Sequence, residues 1–256
     1  MRIFSWLYLA LIFGFIFLPV GVLVLFSFQD SRLPIPPFDG PTLKWYVKII
    51  GDRDLMAALA NSLIVSLISA AVALILGFLA AQGLSRIHLP GSAVMRGLLI
   101  APITVSYLII ALGLLSVFNS IGIRPSLWTT GIGHVVINVP LCFAIIFAAM
   151  GDHQKNAERA ARDLGASDIN VMILVTAPML IPALLAAYFL SVTFSWDEFI
   201  IAFLLTRFEV TLPVEIWSML RSGLSPATNA IGSLVFLVSV ALLFLLEFTV
   251  FRKSKS

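Results

Sequence analysis

Long apolar runs alternate with short polar segments along this chain. Six runs are nearly free of charge: Ile3–Phe28, Ala57–Leu84, Gly97–Phe118, Trp128–Met150, Ile181–Thr206 and Ala230–Phe251. About 20 consecutive apolar residues are enough for a helix to cross a bilayer. Open sheets are excluded, because in lipid every backbone N–H and C=O must find a partner within the protein. The pattern predicts an all-α membrane protein of six transmembrane helices in one domain covering residues 1–256, with a polar loop at about 151–180. The first run is too long for a cleaved signal peptide, and Ser27-Phe28-Gln29-Asp30 is a poor cleavage site. Pro19 is expected to kink this span or mark its outer turn.

Composition supports the class. Apolar residues make up 60% of the 256 and charged residues 11%, against about 45–50% and about 25% in soluble domains. The net charge of +3 gives no reason to expect a nucleic-acid partner. An even number of spans puts both termini on one side. The tail Arg252-Lys253-Ser254-Lys255 and the loop Arg86–Arg96 are basic without acids, which places that side in the cytoplasm. Spans two and three are rich in small residues, among them Ala58, Ser62, Ser66, Ser69, Ala70, Ala73 and Gly77. Small residues let helices approach closely in lipid.

Chemistry is sparse. Cys142 is alone and reads as a small core residue. His88, His134 and His153 are scattered, and no spacing suits a metal. No Gly-rich phosphate loop with a following Lys occurs. Glu247, near the inner end of the last span, is expected to snorkel toward Arg252 or Lys253.

Two segments carry more information. In the fifth run, Ser191-Val192-Thr193-Phe194-Ser195-Trp196-Asp197-Glu198-Phe199 places two carboxylates within a span. An Asp at a helix centre costs about 2.5–3.5 kcal/mol to insert, so such residues face a bundle interior or a cavity. On a continuous helix Ser191, Ser195, Glu198 and Ala202 form one stripe, and Thr193, Asp197 and Ile201 the next. Phe194 or Phe199 would then face lipid. The acids are either a negative waypoint for a cation or hydrogen-bonded packing groups. The second segment is Glu158-Arg159-Ala160-Ala161-Arg162-Asp163-Leu164-Gly165-Ala166-Ser167. It reads as a charged helix stopped by a left-handed glycine. Ser167 then caps a second short helix running toward Pro178.

This helix–glycine–helix segment, followed by Ala177-Pro178 and Pro182, resembles the cytoplasmic coupling loop of ABC-importer permeases. Ala160, Ala161, Asp163, Leu164, Gly165, Ala166 and Ser167 fall on the family pattern. Arg159 stands where the family usually has glutamate, with Glu158 one residue before, and Ala177 replaces the usual Leu. Further resemblance lies in Trp45-Tyr46 after the Pro-rich segment Leu33–Pro41, in Trp196-Asp197-Glu198, and in the segment from Leu212-Pro213 through Gly223 to Ser225-Pro226 and Asn229-Ala230. Together these are similar to polyamine-type (spermidine/putrescine) permeases. By itself, Trp45-Tyr46 reads equally as an interfacial anchor.

The resemblance implies a type I importer permease of the bacterial inner membrane. It implies a second permease, two ATPase subunits that bind ATP and Mg, and a periplasmic substrate-binding protein, with no cofactor in this chain. Glu158, Arg159, Ala160, Ala161, Asp163 and Gly165 would couple to the ATPase. Thr193, Ser195, Trp196, Asp197 and Glu198 would line the substrate pathway, with Trp196 adding a cation–π face. The rivals are a permease for another small solute, an intramembrane enzyme using Asp197 and Glu198 as an acid–base pair, and a solitary secondary transporter. Adjacent helical residues point about 100° apart, a poor geometry for acting on one bond. No internal repeat favours a solitary carrier.

Overall fold

A computed structural model describes residues 2–86, 90–223 and 225–253. Elements among them are helical, apart from one isolated bridge between Gln29 and Pro41. Two compact units emerge, one of residues 1–59 with 212–241, the other of residues 60–211 with 242–256. His88, the side chain of Glu247 and the basic side chains of the C-terminal tail lie outside the described residues.

The first unit contains α1 (Arg2–Ser27), α2 (Lys44–Gly51), the start of α3 (Arg53–Arg86), α12 (Leu212–Ser222) and α13 (Pro226–Lys253) as far as Ala241. Helix α1 continues through Pro19. The Pro-rich loop after it is organised by buried Gln29. Its amide donates to Ser31 Oγ at 2.9 Å and to the Pro37 carbonyl at 3.0 Å, and its Oε1 accepts from the Asp39 N–H. The Trp45 indole N–H donates to the Gln29 carbonyl at 2.6 Å, and the Tyr46 hydroxyl meets Ser27 Oγ at 2.7 Å. The aromatic pair therefore fastens this loop through its polar atoms. In α12, burial and the neighbouring charges of Asp52 and Asp54 push the Glu215 carboxyl above its ordinary range.

The second unit holds the rest of α3, then α4 (Ser92–Ile100) with a 3₁₀ turn (Ala101–Thr104), α5 (Tyr107–Ser120) and α6 (Leu127–Ala149). It continues with α7 (Asp152–Asp163), α8 (Asp168–Val171), a π turn (Met172–Thr176), α9 (Ala177–Met179), α10 (Ile181–Trp196) and α11 (Ile200–Leu205). Its core packs Ala73 and Ala81 of α3 against Cys142, Phe143 and Ile146 of α6 and Ala187 of α10. A Cβ on Gly77 would lie 2.7 Å from Cys142 Cβ and 2.8 Å from the Phe143 backbone nitrogen. The small residues of the second span thus serve close helix contact, as packing in lipid demands. Cys142 is fully buried, 3.1 Å from Ser191 Oγ.

Two straight spans expected from the sequence are broken. Phe4–Ser27, Arg53–Arg86 and Leu127–Ala149 are each long and apolar enough to cross a bilayer. Ser92–Thr104 and Tyr107–Ser120 reach that standard only together, bent by 103°, and so do Asp168–Met179 and Ile181–Trp196, bent by 77°. The run Gly97–Phe118 is interrupted because Pro102 sits in a short 3₁₀ turn, after which Val105 is extended and α5 starts anew at Tyr107. The run Ile181–Thr206 stops at Trp196 and resumes at Ile200. Among the described residues, three helices are each long and apolar enough to cross, or five spans if each bent pair counts as one. The sixth run falls in α13, whose described apolar stretch, Pro226–Ala241, is shorter than a span.

Candidate functional site

The polar loop is built as its sequence predicts. Helix α7 ends at Asp163, and Gly165 adopts φ +86°. The Gly165 N–H donates to the Arg162 carbonyl at 2.8 Å and the Ala166 N–H to the Ala161 carbonyl at 3.0 Å. That pair of bonds is a Schellman C-cap, with glycine at the left-handed position. Ser167 Oγ accepts the Asn170 N–H and caps α8, while Arg162 Nε donates to Asp168 Oδ1 at 2.9 Å across the turn. Leu164, at the corner, is 89% exposed. A Cβ at 165 would meet no atom within 4 Å, yet the left-handed backbone costs a non-glycine residue about 1–2 kcal/mol. Gly165→Val is therefore expected to leave membrane insertion intact and to speed amide exchange at residues 165 and 166 by about tenfold. Hydrogen exchange read by mass spectrometry checks this, and wild-type protection would refute it.

Glu158 departs from the expected picture. As a docking contact it would offer its charge to a partner, but it is 0% exposed. Arg86 Nε donates to its Oε2 at 2.7 Å and Arg86 Nη2 to its Oε1 at 3.0 Å. The Thr176 hydroxyl donates to Oε1 at 2.9 Å. The π turn just ahead of α9 sets Thr176 at that point. Glu158 therefore ties α7 to the end of α3 and to the start of the next span. Arg159 and Asp163 are exposed, as is Ala160, while Ala161 is half-buried. Sequence reasoning missed Arg86, whose only signal was a cation at the end of an apolar run.

The break in the fifth span corrects the continuous stripe. Glu198 is buried, and its carboxylate accepts the N–H groups of Ile200 at 3.0 Å, Ile201 at 2.7 Å and Ala202 at 3.4 Å. A side chain that takes the first amides of the next helix competes with helix continuation. It also satisfies backbone that lipid could not. Asp197, by contrast, is exposed, and its carboxylate makes no hydrogen bond or ion pair among the described residues. The two acids therefore sit in different surroundings, one exposed and one buried. Thr193 is half-buried and donates to the Phe189 carbonyl. Trp196 is 2% exposed, so its ring offers no face to a solute in this conformation. Ser195 is buried between Ser69 Oγ, at 3.1 Å, and His134 Nδ1. His134 Nε2 lies 3.8 Å from Glu198 Oε2. Ser69, Ser195, His134 and Glu198 thus link α3, α6 and α10 to the break. His134 was visible in the sequence only as a lone polar residue in an apolar run.

Long apolar helices, bent helix pairs and a polar corner held against a span end make this a polytopic helical membrane protein. The profile of the family described as binding-protein-dependent transport system inner membrane component matches residues 55–255. The chain belongs to this family and is a permease subunit of an ABC importer, a multi-pass protein of the inner membrane. It is 28% identical over 237 residues to the spermidine/putrescine transport system permease protein PotC of Escherichia coli (strain K12), covering 92% of this chain and 89% of that one. It is 31% identical over 240 residues to the putrescine transport system permease protein PotI of the same organism, covering 90% and 85%. The fold matches a chain of a bacterial alginate ABC transporter, crystallised with an alginate pentasaccharide-bound periplasmic protein. The TM-score is 0.71 at 15% identity, over 100% of this chain and 96% of that one.

Proposed function

We propose that this permease imports polyamines such as putrescine or spermidine. The observation that carries the reading is similarity across nine-tenths of the chain to two permeases named for these substrates. The exposed Asp197 carboxylate supports it, because a negative group in a low-dielectric pathway attracts a polycation. The permease pairs with a second permease to form the pathway. Of two ATPase subunits, which bind ATP and Mg, one docks on the α7–α8 corner and the other on the second permease, and a periplasmic binding protein delivers the solute. Both termini face the cytoplasm, so the corner does too. ATP-driven closure moves the docked corner, and the Glu158–Arg86 brace passes that motion to the spans. This chain needs no cofactor of its own and is inert in transport without its ATPase.

The test is uptake of labelled putrescine and spermidine by the complete complex in liposomes. Wild type is expected to accumulate both with ATP. Asp197→Asn keeps size and removes charge, and should lower uptake about tenfold, the equivalent of roughly 1.4 kcal/mol. No polyamine uptake by wild type, with uptake of a neutral or anionic solute instead, would establish the alternative of a permease for another solute.

A further inference from the structure

A pocket of about 620 Å³ opens beside α7, lined in part by Gln82 and Arg86 from the end of α3, Lys155, Arg159 and Arg162 from α7, and Asp168 from α8. Its charges do not balance. Glu158, also on its wall, is committed to Arg86 and Thr176, and Asp168 to Arg162. What remains is cationic. Arg159 is exposed and makes no hydrogen bond or ion pair among the described residues. Among the described residues Lys155 pairs with one carboxylate, Asp152 at 3.3 Å, on an exposed side chain. Arg86 keeps a buried Nη1 without an acceptor among the described residues. Leu164, 89% exposed, and Ile169, 66% exposed, supply apolar surface on the same corner.

We propose that the pocket receives a carboxylate side chain of the ATPase subunit, an Asp or Glu that pairs with Arg159 and Lys155 while Leu164 and Ile169 pack around it. This rests on the docking of the ATPase at this corner, proposed above, and adds the sign and chemistry of the contact. A guanidinium fork matches a carboxylate with two parallel hydrogen bonds. Closing the apolar rim over that pair removes water and strengthens it. An anionic lipid headgroup would share the charge. The exposed acids Asp152 and Asp163 on the same helix oppose an anionic bilayer surface and favour a folded partner with one well-placed acid.

The test uses the complete complex, purified through a tag on this permease at low and high salt. Arg159→Glu should retain about a tenth or less of the wild-type ATPase at low salt, and Arg159→Lys most of it. Elution of the variant as a single monodisperse species shows that the permease itself is folded. On the Arg159→Glu background, Asp→Lys and Glu→Lys substitutions scanned over the ATPase surface should restore binding at one position. Leu164→Asp tests docking itself. Loss of ATPase from Leu164→Asp but not from Arg159→Glu overturns the carboxylate contact and keeps docking. Retention by both variants overturns docking and the contact together. Loss from Arg159→Glu without rescue anywhere in the scan also overturns the contact. If co-purified phosphatidylglycerol falls in parallel, the pocket is a lipid site.

Discussion

Replacing Glu158 by alanine is expected to lower the stability of the second unit by about 3–5 kcal/mol, the cost of breaking a buried ion pair from one side. The carboxylate is fully buried and answers two Arg86 nitrogens and one Thr176 hydroxyl. Without it Arg86 keeps a charge at a span end with no acceptor among the described residues, where its Nη1 already lacks one. Glu158→Gln keeps the shape but removes the charge, and should cost less than the alanine. Arg86→Ala leaves the carboxylate unpaired and should cost as much as Glu158→Ala. The double variant Glu158→Ala with Arg86→Ala should recover part of the loss, because no buried charge remains alone. Thermal unfolding of the purified permease in detergent reads these differences. Additive losses in the double variant would show that the pair is not coupled. ATPase would also be lost from Glu158→Ala, but through a loosened corner and not through a broken contact. Exposed Arg159 should show the opposite signature, with ATPase lost at unchanged stability.

Glu198→Ala is the second large effect expected. Three backbone N–H groups at the start of α11 would lose their acceptor inside a span. Each donor left unsatisfied costs about 1–3 kcal/mol, since lipid supplies no replacement. Loss of folded protein, or a shift of the break, should precede any loss of transport specificity. Glu198→Gln retains one carbonyl acceptor and should be milder. Asp197→Asn should leave the melting temperature unchanged, because the carboxylate it alters has no partner among the described residues. A melting curve and an uptake assay on the same preparations separate the two roles. Equal stability of Glu198→Ala and wild type would remove the capping role. Equal loss of stability in the Asp197 and Glu198 variants would make both acids packing groups.

Much of this protein is written in local chemistry. Apolar run length set the class, since a bilayer accepts only helices or closed barrels and runs of about 20 apolar residues span as helices. The glycine at 165 and the serine at 167 fixed the corner, because a left-handed C-cap and an N-cap depend on residues within a few positions of each other. Helical periodicity misled where a side chain overrode it. It aligned Ser191, Ser195 and Glu198 on one face, but a carboxylate that can take backbone amides breaks the helix and sends Asp197 and Glu198 to different surroundings. The bend after Pro102 was signalled by proline, but its angle depends on what packs around it. Pairing lay beyond the sequence altogether. Glu158 and Arg86 stand 72 positions apart, and Ser69 and Ser195 stand 126 apart. Nothing local distinguishes a glutamate offered to a partner from one buried against an arginine. Only the packing of α7 against the end of α3 decides that Glu158 braces the corner while Arg159, one residue on and about 100° around the helix, faces outward.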